Sequence, residues 1–376
     1  MRRRKREEAA PTFSTWRRKL EKAGKSDLER NVRQFVDVLR SVGSPMIDEP
    51  AVDFVYHDPA ARSVAVTGEF SEWDRDGTPM RPIRKTGVFH HRLELRGPAR
   101  MEYKLIVDGE WRLDPLCPES VDNGLGSRNS VFHVGDVAEP PELEERTGVP
   151  RGTIVELELR SEILKNRRPV HVYRPAGYEE DTARRFPTLY VHDGGEYLSR
   201  AKLPTVLDNL IAEGVLRPLI AVMVDPVDRM REYWNDPSYA RFVMEELVPH
   251  VDDHHRTLPV AQERAVMGAS LGGLISTYLA LSRPDVFARL AGQSSAFFAD
   301  EERIIDLAER LDVPLRGYFD VGTYEPRFVP AHARLLSILD AKGCRCRYQE
   351  VRAGHNWTSW RAHLKDLLTW IWEPGT

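Results

Sequence analysis

The chain predicts a mostly parallel α/β sheet flanked by helices, preceded by a smaller immunoglobulin-like β-sandwich. Two observations carry this. Between residues 48 and 138, short alternating stretches are separated by Gly- and Asp-bearing turns, the pattern of strands with one buried face. From about residue 150, short apolar runs that read as buried strands recur and are followed by stretches of helical spacing. The length of 376 residues is ample for two such domains, and 41% hydrophobic with 30% charged residues is ordinary for a globular protein.

Residues 1–47 read as a helical extension. Leu20, Leu28, Val32, Phe35, Val36 and Leu39 fall on one apolar face. Such a face packs either on the body of the protein or on a second copy in a homodimer. The basic start Met1-Arg2-Arg3-Arg4-Lys5-Arg6 is followed at once by Glu7 and Glu8, and reads as a solvated tail.

Residues 48–138 carry Val64-Ala65-Val66-Thr67-Gly68-Glu69-Phe70-Ser71-Glu72-Trp73, then Met101-Glu102-Tyr103-Lys104-Leu105-Ile106-Val107-Asp108-Gly109-Glu110-Trp111, then Asn129-Ser130-Val131. The Pro- and Glu-rich stretch within 139–150 reads as a linker. Residues 151–376 are expected to form the catalytic α/β domain.

That domain holds the pentapeptide Gly268-Ala269-Ser270-Leu271-Gly272. Arg264-Ala265-Val266-Met267 before it reads as a strand, and Gly273 to Leu281 after it as a helix. Strand, tight turn and helix form the setting of a nucleophile elbow, where side chains larger than glycine on either side of the serine would clash. The serine needs a base and an acid later in the chain. His355, in Gly354-His355-Asn356-Trp357, is the expected base, since an imidazole exchanges protons near neutral pH. Glu325 lies in the loop beyond a strand end, where catalytic groups of open α/β sheets sit. It is the preferred acid, with Asp320, inside the strand itself, as second choice. For the oxyanion hole the expected donors are the amide of Leu271 and an amide of the Gly194-Gly195 pair in His192-Asp193-Gly194-Gly195, which follows the strand-like run ending at Val191.

With these motifs in place, residues from about 150 onward resemble the esterase D-type α/β-hydrolases. The resemblance rests on Val191-His192-Asp193-Gly194-Gly195, Gly268 to Gly273, Gln293-Ser294-Ser295, Gly322-Thr323-Tyr324-Glu325 and Gly354-His355-Asn356-Trp357. Within that group the chain looks most like the enterochelin (ferric siderophore) esterases. The resemblance implies a serine carboxylic-ester hydrolase working through an acyl-enzyme, without metal or organic cofactor, on a small-molecule ester. For a ferric siderophore, an anionic aromatic ligand, it implies binding by Arg229, Arg231, Glu232, Tyr233, Trp234 and Trp357, with Arg327 and Arg352 as further cations. The bland alternative pairs Arg231 with Glu232 as a structural ion pair. Feruloyl or acetyl esters on carbohydrate are the second reading.

The sandwich resembles the early-set modules that bind glycogen or precede isoamylases, with Asp122-Asn123-Gly124-Leu125-Gly126 as part of the match. In carbohydrate-binding members exposed tryptophans stack on sugars, so Trp73 and Trp111 are the candidates. A spacer beside the catalytic domain, with Trp73 as a core or turn residue, is the plainer expectation. A glycan-binding protein with an idle hydrolase site is the reading from a different class.

A net charge of −4 leaves no electrostatic footprint for nucleic acid. No run approaches the ~18 apolar residues of a membrane helix, and the start is too polar for a signal peptide, so no membrane partner is expected and the cytoplasm is the default location. Cys117, Cys344 and Cys346 are too few for a disulfide framework, and no histidine accompanies them to make zinc attractive.

Overall fold

The structure, a computed structural model, describes residues 12–124 and 126–373. The basic run Met1–Arg6 and Leu125 of the sandwich motif lie outside the described residues. The chain divides into two compact units. One comprises Met1–Ala138 with Arg352–Gly354, the other Glu139–Val351 with His355–Thr376.

The first unit opens with two helices, Phe13–Lys22 and Lys25–Val42. The extended backbone of Ala23 and Gly24 breaks the spiral between them. Their apolar face (Phe13, Trp16, Leu20, Phe35 and Leu39) packs with Val55 and Val88 of a four-stranded antiparallel sheet and with Ile83 in its connecting turn. A six-stranded sheet built around Val64–Gly68, Ala99–Val107 and Arg128–Val134 completes the sandwich. Phe54 from the first sheet meets Tyr103 and Phe132 from the second edge-on, at 4.9 and 5.5 Å between ring centroids. Edge-to-face contacts of this kind fix the inter-sheet spacing more tightly than area burial alone.

The second unit is built on eight strands: β1 (Thr153–Ser161), β2 (Asn166–Arg174), β3 (Thr188–His192), β4 (Ile220–Val224), β5 (Arg264–Ala269), β6 (Arg289–Gln293), β7 (Arg316–Gly322) and β8 (Arg345–Val351). Their spatial order is β1-β2-β4-β3-β5-β6-β7-β8. β2 runs antiparallel to both neighbours, and every pairing from β4 to β8 is parallel. β3, β4 and β5 are buried along their whole length, as strands covered on both faces must be. Alternation along β3 sends Tyr190 into one layer with Val266, Leu274 and Phe287, and Leu189 and Val191 into the other with Met267, Leu367 and Leu368. The last helix, Leu364–Trp372, thus closes the second layer. The strand ends at the carboxyl side of the sheet then carry the loops that hold the chemistry.

Candidate active site

At the end of β5 the chain turns sharply through Ser270 (φ 58°, ψ −121°) into the helix Leu271–Ser282. A non-glycine residue there stores roughly 1–3 kcal/mol of backbone strain, so its surroundings must hold it. They do: its N–H donates to the Gln293 carbonyl at 2.9 Å, and its own carbonyl accepts from Ala296 at 3.0 Å. Glycine is obligatory at 268, because a β-carbon would stand 2.4 Å from the Gly272 carbonyl.

Ser270 Oγ lies 2.9 Å from His355 Nε2, and His355 Nδ1 lies 2.5 Å from Glu325 Oε1. The network assigns the ring proton to Nδ1, donated to the carboxylate, leaving Nε2 to accept from the serine. The other oxygen of Glu325 accepts from Ser294 Oγ and from the Gly322 amide, both at 2.7 Å. Burial works to raise the Glu325 pKa, but the bonds from His355, Ser294 and Gly322 outweigh it and hold the carboxyl below its ordinary value. Phe328 packs against the imidazole at 5.1 Å, and Trp360 meets it edge-on at 4.9 Å.

Of the two acids weighed, geometry takes Glu325. Asp320 is buried inside β7 and bonds Gln293 Nε2 at 3.1 Å. Burial pushes its pKa up to about 7 against the pull of Gln293 and Tyr318. Buried beneath the site, Asp320 makes no hydrogen bond to His355 among the described residues.

The oxyanion candidates divide. The amide of Leu271 opens the helix Leu271–Ser282, where a first-turn N–H has no intrahelical acceptor. The Gly195 amide, by contrast, donates to Asp225 Oδ1 at 2.8 Å, because the residue after β4 lays its carboxylate over this turn. As an open donor Gly195 is therefore a correction. Gly194 is needed for close approach, since a β-carbon would fall 2.4 Å from the Met223 backbone in β4.

Most of the expected substrate-binding cluster serves the scaffold instead. Glu232 pairs with Arg168 through two 2.9 Å bonds, both side chains buried, and not with Arg231. Tyr233 is wholly buried, and its hydroxyl accepts the Asp193 amide at 2.9 Å. Arg229 forks onto both oxygens of Asp193 at 2.8 Å, so its charge is neutralised within the protein. Trp357 packs edge-on between Tyr197 and Trp360. Exposed Arg231 lies 3.7 Å from Asp236, and Trp234 is also exposed. Arg352 groups with the first unit. Arg327 lies 4.2 Å over Phe298, which packs on Phe328 and so beside His355. It has no ion pair among the described residues.

Two residues of the site went unassigned in the sequence reading. Ser294 (φ 43°) bonds Glu325 and receives the Trp360 indole N–H at 3.1 Å. Gln293-Ser294-Ser295 was visible as a motif, but its role depends on β6 lying beside β7. In the first unit, the Trp73 and Trp111 rings stack at 6.4 Å with planes 16° apart. Trp73 sits in a turn at φ 56°, and Trp111 is exposed.

No group of three or more His, Cys, Asp or Glu among the described residues could hold a metal ion. No helix among them is long and apolar enough to cross a membrane.

The strand order, the single antiparallel strand and the serine elbow define an α/β-hydrolase. The chain belongs to the putative esterase family, which matches residues 161–371, and it is a carboxylic-ester hydrolase. Residues 51–139 match the glycogen recognition site of AMP-activated protein kinase, in keeping with an early-set sandwich. The chain is 26% identical over 300 residues to an iron(III) enterobactin esterase of Escherichia coli, a match covering 75% of this chain and 72% of that protein. It is 27% identical over 274 residues to an endo-1,4-beta-xylanase/feruloyl esterase of Xylanibacter ruminicola, covering 69% of this chain and 37% of that protein. Ferric enterobactin esterase from Salmonella typhimurium shares the fold with a TM-score of 0.71 at 21% identity, over 86% of this chain and 94% of that one.

Proposed function

We propose that the protein is a serine esterase that hydrolyses ester or lactone bonds of a ferric catecholate siderophore. The observation that carries the catalytic half is the unbroken hydrogen-bonded series Ser270–His355–Glu325. In this reading Ser270 Oγ attacks the ester carbonyl while His355 Nε2 takes its proton. The Leu271 amide holds the oxyanion. His355 returns the proton to the departing alkoxide, leaving an acyl-enzyme. Water, deprotonated by His355, then releases the acid and restores the serine. Glu325 keeps the imidazole in the required tautomer and stays ionised throughout.

The substrate half rests on the enterobactin esterase relatives and on Arg327, a cation without a carboxylate partner among the described residues, set on aromatic rings that lead to His355. An anionic, aromatic ligand suits that pairing. Action on an imported complex accords with a cytoplasmic location. A second reading, feruloyl or acetyl esters on carbohydrate, draws on the feruloyl esterase relative and the stacked Trp73–Trp111 pair. An idle hydrolase site fits poorly with a serine, histidine and glutamate all in hydrogen-bonding register.

The test is product analysis by chromatography and mass after mixing the protein with a ferric catecholate trilactone and, separately, a feruloylated sugar. Linearised trilactone is expected from the native protein, and none from Ser270→Ala. Turnover that survives Ser270→Ala would remove Ser270 as nucleophile. Cleavage of the sugar ester alone would move the substrate to the second reading.

A further inference from the structure

Strands β5 to β8 each begin on an arginine: Arg264, Arg289, Arg316 and Arg345. Register sets Arg289 opposite Arg316 and Arg316 opposite Arg345, so the row crosses the amino end of the sheet. Ser270 lies beyond the carboxyl end of β5, at the other end of the same strands. A cavity of about 530 Å³ is lined by Arg217, ahead of β4, and Arg347, near the start of β8, together with Thr369, Trp370, Trp372 and Glu373; Arg289, Arg316 and Arg345 of the row stand behind its tryptophans.

The charges here do not balance. Arg264 pairs with Asp252, Arg217 with Glu263, and Arg316 and Arg345 share Glu373. Arg289 donates only to the Gln262 and Ile371 carbonyls, and Arg347 reaches only Gln349 Oε1 at 3.5 Å. Burial first, and neighbouring guanidinium groups next, depress the pKa of both Arg289 and Arg316. Donors are in surplus too. Trp372 is 4% exposed, yet its indole N–H has no hydrogen-bond partner among the described residues, and neither has the buried Arg316 Nε. The ring faces are already taken: Arg217 and Arg289 lie over Trp372, Arg316 and Arg345 over Trp370, all at 5.0–5.2 Å. The cavity's one carboxylate among the described residues, Glu373, is already shared by Arg316 and Arg345. A buried donor left unpaired is destabilising, and clustered cations add repulsion that one multiply charged oxyanion would relieve.

We infer that this cavity is a binding site for a small polyanion, bearing phosphate or several carboxylate groups, separate from the catalytic centre. Its size is that of ordinary small-molecule sites.

Titration calorimetry on the full chain tests it, with pyrophosphate in one arm and citrate in the other to separate the two kinds of oxyanion. Saturable binding of at least one is expected, weakening as salt rises. Arg347→Ala should weaken it about tenfold or more, the loss of one charge-assisted contact. Trp372→Phe keeps an aromatic face and removes the N–H. It should weaken binding several-fold, and it serves if Arg347→Ala does not fold. Ester hydrolysis by the unliganded Arg347→Ala protein should match the parent. No saturable binding of either anion at millimolar concentration, or binding that neither substitution weakens, would overturn the inference.

Discussion

At the scale of single residues, the site depends on how Glu325 is held. It has three donors, and Ser294 is the one that also ties it to Trp360. Ser294→Ala removes a bond at the far oxygen without touching the serine or the imidazole. We expect kcat to fall roughly tenfold with KM little changed, matching about 1–1.5 kcal/mol of lost orientation. Ser294→Thr should recover part of it. If KM rises and kcat holds, Ser294 belongs to substrate binding instead. Ser270, His355 and Glu325 were readable in the sequence because their motifs are local: a pentapeptide, a Gly-His loop and a strand-end acid. Ser294 and Trp360 were not, because they meet Glu325 only through the pairing of β6 with β7 and the docking of the terminal helices. The Arg231–Glu232 pairing failed for a related reason. The partner of Glu232, which ends a short helix, is Arg168, 64 residues upstream on β2.

At the scale of elements, β7 and the loop that follows it each carry a carboxyl group, Asp320 and Glu325, and the two respond to pH in opposite directions. Glu325 is held below its ordinary pKa, so it adds stability above the unfolded value and loses it as pH falls through the folded one. Asp320 keeps its proton up to about pH 7, while the unfolded chain releases it near the ordinary carboxylate value. Between those limits the folded state binds the extra proton, so the Asp320 contribution is full below the unfolded pKa and lost as pH climbs through 7. Asparagine copies the shape of the neutral acid, so Asp320→Asn should remove that loss. In urea titrations, native stability should fall from pH 5 to pH 7.5 by about 2–3 kcal/mol more than that of the variant. Equal slopes would mean that Asp320 is ionised in the folded protein. The inner strands themselves were easy to read, since a strand covered on both faces reads as a short, largely apolar run. The break at Ala23–Gly24 was not, because the apolar spacing continues across it.

At the scale of the whole molecule, the open question is whether a chain with an esterase core uses its sandwich to hold sugar. The first unit and the catalytic unit each have a core of their own, so a change on the surface of one is expected to leave the chemistry of the other intact. Trp111 is suited to the test. It is exposed on the short strand Glu110–Arg112, and it stacks nearly parallel to Trp73. The exposed face of this stacked pair is a flat apolar surface that a sugar ring can cover, or else the pair only covers the strands beneath. Trp111→Ala separates these uses, because an exposed side chain contributes little to folding. If the platform binds glycan, native protein should be retarded in an amylose-containing gel and the variant should not, while both cleave a soluble aryl ester at the same rate. If neither is retarded, the sandwich is a structural companion and the carbohydrate-ester reading loses its main physical support. If the variant loses stability along with retardation, Trp111 is part of the fold, and Trp73→Ala would need to show the same coupling.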